Sequence, residues 1–291
     1  MKKQVYRRYL LILPGGLLFL SMVLFPIFFT IYASFFRWKG VGFEMNFIGL
    51  KNYISIFSDP RFINALENNF IWMAGFILLP VAFGFILALV LNTGLKGENV
   101  FKAAYYFPGV ISFVVIGIIF TLIFNNSHGM LNEFLRTIGL DRLALPWLGS
   151  RFLGIFSLII AGSWQYLGFC MVLFLAGLRN IPLDILEAAD IDGVNYFQKV
   201  FHMIIPMLRP VTTVVVGLSL INSIRVFGLV YVMTKGRPGY STEVIGLLMY
   251  NKAFVEQRWG LGSSYGVIMF IMTSVFGLLY INQMMRGEIK Y

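Results

Sequence analysis

Residues 152–178 read FLGIFSLIIAGSWQYLGFCMVLFLAGL, and residues 179–193 read RNIPLDILEAADIDG. The first run contains no Asp, Glu, Lys or Arg. It exceeds the roughly 20 residues a helix needs to cross ~30 Å of hydrocarbon. The second is polar, acidic and ends on a glycine. A long apolar run that hands over directly to an acidic helix–glycine unit reads as a membrane span followed by a projecting loop.

The same pattern recurs outward from this stretch. Tyr9–Phe36, Asn68–Leu95, Ala103–Asn132 and Trp259–Met285 are also free of charge, and Val211–Met233 is interrupted only by Arg225. The chain is 58% hydrophobic and 12% charged, whereas soluble domains run at about 45–50% and about 25%. The expected fold is therefore an all-α integral membrane protein with six transmembrane helices, forming one polytopic membrane domain over 1–291. A closed barrel would need alternating segments of about 10 residues, which are absent.

The formal net charge is +10. The basic residues are scattered among loops, with no run to track phosphates, so no nucleic-acid partner is expected. Anionic membrane lipid accounts for the surplus. The single cysteine, Cys170, lies inside a span and reads as a small core residue. Lys2, Lys3, Arg7 and Arg8 precede the first span. They place the N-terminus inside, and six crossings then bring both termini to the cytoplasmic face. Eleven Lys/Arg fall in the shorter inner segments and eleven in the longer outer loops, so the density favours the same orientation.

On this orientation residues 179–210 form an inner loop. Pro182 suits a helix start, and Asp184 and Glu187 place negative charge near that helix's positive end. A short helix is expected over Leu183–Ile191, and Gly193 can take the positive φ that turns the chain. A second helix starts after Asn195 as N-cap and carries Tyr196, Phe197, Val200, Phe201 and Ile204 on one face. Pro206 and Pro210 are expected to stop it. Glu187, Asp190 and Asp192 make an acidic corner that anionic lipid repels.

The run Glu187-Ala188-Ala189, three residues, Gly193, nine residues, then Met203-Ile204-Ile205-Pro206 resembles the EAA loop of ABC importer permeases. Likeness to the carbohydrate-uptake branch, the maltose and glycerol-phosphate type, extends to 47–53 (FIGLKNY), Tyr106-Phe107-Pro108, 178–182 (LRNIP) and the loop from Met233 to Phe254. Phe227-Gly228 and Gly236-Arg237-Pro238 depart from the branch's common Phe-Asp and Gly-Gly-Pro.

The resemblance implies the type I ABC importer permease fold, with a core at about 66–285. It also implies a bacterial or archaeal cell-membrane location and a carbohydrate substrate. Partners would be a second homologous permease subunit, a dimer of ATP-binding subunits carrying ATP-Mg, and an extracytoplasmic solute-binding protein. The resemblance assigns coupling to Glu187, Ala188, Ala189, Asp190, Asp192, Gly193, Phe197 and Pro206. Glu187 would contact the ATPase, and Gly193 would set the angle.

No Gly-x-x-x-x-Gly-Lys-[Ser/Thr] phosphate loop occurs, so the chain is expected to bind no nucleotide cofactor of its own and to be no enzyme. His128 and His202 lack companions for metal or nucleophilic chemistry. Arg225 has two readings: a pathway residue meeting sugar hydroxyls, or a structural cation that pairs or snorkels. Asn222, Ser223, Gln165 and Trp164 are the other pathway candidates, against the alternative that they hold helices together. A secondary transporter is the rival function. The absence of Asp and Glu from the spans counts against it.

Overall fold

The computed structural model describes residues 13–42 and 44–285. The basic residues used for orientation at positions 2, 3, 7, 8, 286 and 290, and the first span's start at Tyr9, lie outside the described residues. From the N-terminus run α1 (Leu13–Ala33), a two-stranded antiparallel hairpin of β1 (Phe36–Arg37) and β2 (Asn46–Phe47), and α2 (Lys51–Phe57). There follow α3 (Pro60–Leu91), α4 (Glu98–Val110), α5 (Phe113–Ile123), α6 (Met130–Thr137) and α7 (Leu153–Arg179). The chain continues through α8 (Leu183–Ile191), α9 (Tyr196–Met207), α10 (Arg209–Ile224), α11 (Gly228–Met233), α12 (Ile245–Val255) and α13 (Trp259–Met285).

Four of these helices are long and apolar enough to cross a membrane: α1, α3, α7 and α13. Six crossings result when α4 with α5, bent by 98°, and α9 with α10, bent by 70°, each count as one. Two expected spans are interrupted within their expected bounds. Ala103–Asn132 is broken at Ile111–Ser112, where Ser112 takes an extended conformation and caps α5 by accepting from Val115 N. Val211–Met233 is broken after Ile224, so Arg225 is the residue that ends α10 rather than a mid-helix charge.

α9 passes Pro206 by one residue and ends at Met207, ahead of Pro210 in the first turn of α10, so the expected stop holds to within a residue. Residues Val200–Ile204 form a π turn, in which Ile205 N donates to Val200 O, five residues back.

The described chain divides into two compact units. One comprises the chain up to Ile63 together with Leu248–Ile271; the other comprises Asn64–Leu247 together with the chain from Met272. In the first unit α1 leaves Leu17, Met22, Phe25 and Phe28 exposed. A surface of that kind suits hydrocarbon, and the helix already satisfies its own backbone.

In the second unit α7 is the enclosed helix. Near one end it buries Leu158 and Ile159 against Trp72 and Phe76. Further along, Met171 and Phe174 pack with Ala88 and Leu91 of α3 and with Val200, Ile204 and Leu208. Small residues set these approaches: a Cβ added at Gly168 would strike the backbone at Tyr105 and Tyr106 of α4.

Candidate functional site: a coupling elbow and a cavity at two helix breaks

The elbow is built by local chemistry. α8 begins after Pro182 and ends in a Schellman turn: Val194 N donates to Ala189 O at 3.0 Å and Gly193 N to Asp190 O at 3.2 Å. Gly193 sits at φ +72°, the left-handed conformation this turn requires. The next helix opens on a capping box, with Gln198 N donating to Asn195 Oδ1 at 2.9 Å and Asn195 N to Gln198 Oε1 at 3.1 Å. Asp190 and Lys199 form an ion pair across the bend.

The elbow has an anchored side and a free side. Val200, Ile204 and Leu208 fall at i, i+4 and i+8 and are buried against α7. Tyr196, Phe197 and Phe201 are exposed, Phe197 at 72%. The single apolar face expected of this helix is thus divided between core and surface. Glu187, Ala188, Asp190 and Asp192 are exposed, and so is Pro206; Ala189 is buried beneath the turn. A cavity of about 420 Å³ runs along the inside of the bend, lined by Asp184, Ile185, Ala188, Ala189, Val194 and Met203 among others. At the far end of α7, Arg179 and Lys102 both pair with Glu98, fixing that end to the start of α4.

The second feature lies where α10 breaks. Trp72 and Phe76 of α3, Phe113, Tyr166, Asn222 and the unwound backbone from Arg225 line a cavity of about 360 Å³. Irregular backbone at membrane depth is tolerated where it borders such a space. Asn222 Nδ2 donates to Tyr166 Oη at 3.3 Å. The Phe76 and Tyr166 rings are 4.9 Å apart, and Trp72 stacks on Phe76 at 5.4 Å. Trp72 Nε1 is buried with no hydrogen-bond partner among the described residues. Arg225 is exposed and makes no ion pair among the described residues, so its paired reading finds no partner here.

A neighbouring cavity of about 290 Å³ shares Phe113 and Tyr166 and is lined also by Gln165 and the Ile111–Ser112 break. Gln165 Nε2 donates to Ile111 O at 2.6 Å, satisfying a carbonyl that the break sets free, while its buried Oε1 has no partner among the described residues. Asn69 does similar work at the other break: its Oδ1 accepts from Ile245 N at 2.8 Å and its Nδ2 lies 3.5 Å from Ile224 O.

Of the five expected pathway residues, Asn222 and Arg225 share one cavity and Gln165 lines the next. Ser223 is fully buried, its hydroxyl donating to Leu220 O within its own helix, and it lines neither cavity. Trp164 lines neither cavity; it is exposed and lies edge-on to Phe120 at 5.5 Å. Tyr166 and Phe76 were not singled out by sequence reading. In apolar runs an aromatic carries no mark that separates a cavity wall from core.

The sequence matches the family described as "Binding-protein-dependent transport system inner membrane component" over residues 80–284. It is 35% identical to a probable ABC transporter permease, YurN, of Bacillus subtilis, over 96% of each chain. It is 33% identical to the arabinooligosaccharides transport system permease AraP of the same organism, over 93% of this chain and 86% of that one. A chain in the crystal structure of a bacterial alginate ABC transporter, in complex with an alginate pentasaccharide-bound periplasmic protein, superposes with a TM-score of 0.82. That match is at 22% identity and covers 96% of this chain and 93% of the other. The family match over residues 80–284 and the relative at 35% identity decide the family: this multi-pass membrane chain belongs to the binding-protein-dependent transport system inner membrane components, the permeases of ABC transporters.

Proposed function

We propose that the chain forms half of the translocation pathway of an ATP-driven oligosaccharide importer, with a second homologous permease subunit as the other half. The elbow at Glu187–Pro206 docks on one of two ATP-binding subunits, which carry ATP-Mg. Glu187 and the exposed Tyr196, Phe197 and Phe201 fill the cleft. A solute-binding protein delivers the sugar at the opposite, extracytoplasmic face, and both termini lie in the cytoplasm of a prokaryotic cell.

The observation that carries this reading is the elbow's construction. Two short helices are held at a fixed angle by a Schellman turn, a capping box and the Asp190–Lys199 pair, and are anchored by Val200 and Ile204. A rigid, surface-projecting bend transmits a displacement that a flexible loop would absorb. The sugar reading is supported by the relative that transports arabinooligosaccharides. It is also supported by the cavity's mixture of aromatic faces with the Asn222 amide and the Arg225 guanidinium.

Cys170 is buried, so a Glu187→Cys variant has one accessible thiol. We expect that thiol to cross-link to the ATP-binding subunit of the copurified complex, with a yield that changes on adding ATP-Mg. Oligosaccharides presented with the solute-binding protein should stimulate ATP hydrolysis by the complex. Uptake that survives ATP depletion but collapses with the ion gradient would establish the secondary transporter instead.

A further inference from the structure

The first unit carries a cavity that the transport reading leaves unused. It measures about 590 Å³ and is formed by the hairpin, α2 and the turn before α13. Four cations line it: Arg37, Lys39, Lys51 and Arg258. The one carboxylate in its wall, Glu256, is already held by Lys252 at 2.8 Å and lies 3.8 Å from Arg258. Arg37, Lys39 and Lys51 make no ion pair among the described residues, so the cavity keeps a surplus of positive charge.

Position and surroundings narrow the ligand. Arg37 follows the end of α1 at Ala33 by four residues, and Arg258 immediately precedes the span that starts at Trp259. The cavity thus lies at the level where two spans leave the hydrocarbon. Trp38, in its wall, lies 6.1 Å from Trp259, the pairing expected of an interfacial belt.

A second observation comes from α2 itself. Leu50, Ile54 and Phe57 fall at i, i+4 and i+7 and are each at least 60% exposed, while Asn52 and Ile56 are buried. On the helical wheel Lys51 stands about 60° from Ile54 and about 40° from Ser55, between that apolar stripe and the cavity. A short helix with an exposed apolar stripe bordered by cations is built to lie in an interface. Gln257 at φ +52° adds a strained backbone position where Glu256 and Arg258 enter the cavity.

We propose that this cavity binds the phosphate of an anionic phospholipid, whose acyl chains lie against the apolar stripe of α2. The charge decides the lipid class: a zwitterionic headgroup would leave the surplus of positive charge unchanged, while a phosphodiester without a counter-cation reduces it. The inference rests on the protein being membrane-embedded and is independent of what it transports.

The full chain is reconstituted in nanodiscs of equal parts phosphatidylglycerol and phosphatidylcholine, and its retained lipid is counted by native mass spectrometry. Phosphatidylglycerol should be retained in preference. The preference should fall roughly fivefold for each cation removed in Arg37→Gln and Lys51→Gln. Arg37→Lys should keep most of it, which separates charge from fold. Equal retention of both lipids by the unaltered chain would overturn the proposal. So would an unchanged preference in the doubly substituted chain, or loss of retained lipid on adding inorganic phosphate, which would mark a free-anion site. Retention of no lipid at all would overturn it as well.

Discussion

Gly193 and Gly168 stand for two regions of the molecule that are held in opposite ways. At Gly193 an added Cβ would meet nothing within 4 Å, yet φ is +72°. At Gly168 the backbone is helical, but an added Cβ would lie 2.7 Å from Tyr106 Cα and closer still to the Tyr105 carbonyl. The elbow is fixed by what the chain does locally; the helix pair α4–α7 is fixed by what another helix does to it. The elbow therefore depends on a conformation, and the packing of α4 on α7 depends on a distance.

The largest effect should come from the second region. Gly168→Ala forces two backbones apart, and overpacking of that kind costs about 3 kcal/mol or more when backbone rather than a side-chain tip must yield. The detergent-solubilised protein should lose its cooperative thermal transition or melt well below the unaltered chain. An unchanged melt would mean that α4 and α7 can separate freely, and the contrast drawn between the two glycines would fail.

Gly193 should behave differently. A β-branched residue at positive φ costs about 1–2 kcal/mol, paid locally because no neighbour is disturbed. Gly193→Val is expected to insert and melt close to the unaltered chain while losing substrate-stimulated ATP hydrolysis by the assembled complex. Gly193→Asn tolerates the left-handed conformation and should retain most of it. Equal loss in both variants would mean that the flanking surface, rather than the angle, needs the glycine.

The same division explains what was legible in the sequence. α8 and its turn were readable because Pro182, Gly193 and Asn195 act within a few residues of themselves. The π turn just before Pro206 was not legible, because a sequence pattern marks where a helix stops but not a local change in its bonding period. On α7 the sequence offered Trp164 and Gln165 as pathway residues, but a helix that is apolar all round gives no rotational reference. Trp164 and Tyr166 stand about 160° apart on the wheel, and it is Tyr166 that lines the cavities. Arg225 was correctly marked as unusual. Its role in ending a helix was not legible, because the break is supported by Asn69 from a distant span.

The smallest effect sharpens the elbow itself. Asp190 and Lys199 pair across the bend, but Asp190 is largely exposed, so solvent limits the pair to at most about 1 kcal/mol. Two roles for Asp190 are then separable by a double-mutant cycle. If it braces the angle, Asp190→Asn and Lys199→Gln should each reduce coupled ATP hydrolysis modestly, and the double substitution should be no worse than either alone. If it is instead a docking contact for the ATP-binding subunit, Asp190→Asn should be costly whichever residue stands at 199. Non-additivity with Lys199 would place the local conformation first even at the elbow's surface. Additivity would show that the acidic corner works by what it touches, leaving the angle to Gly193 and the Asn195 capping box.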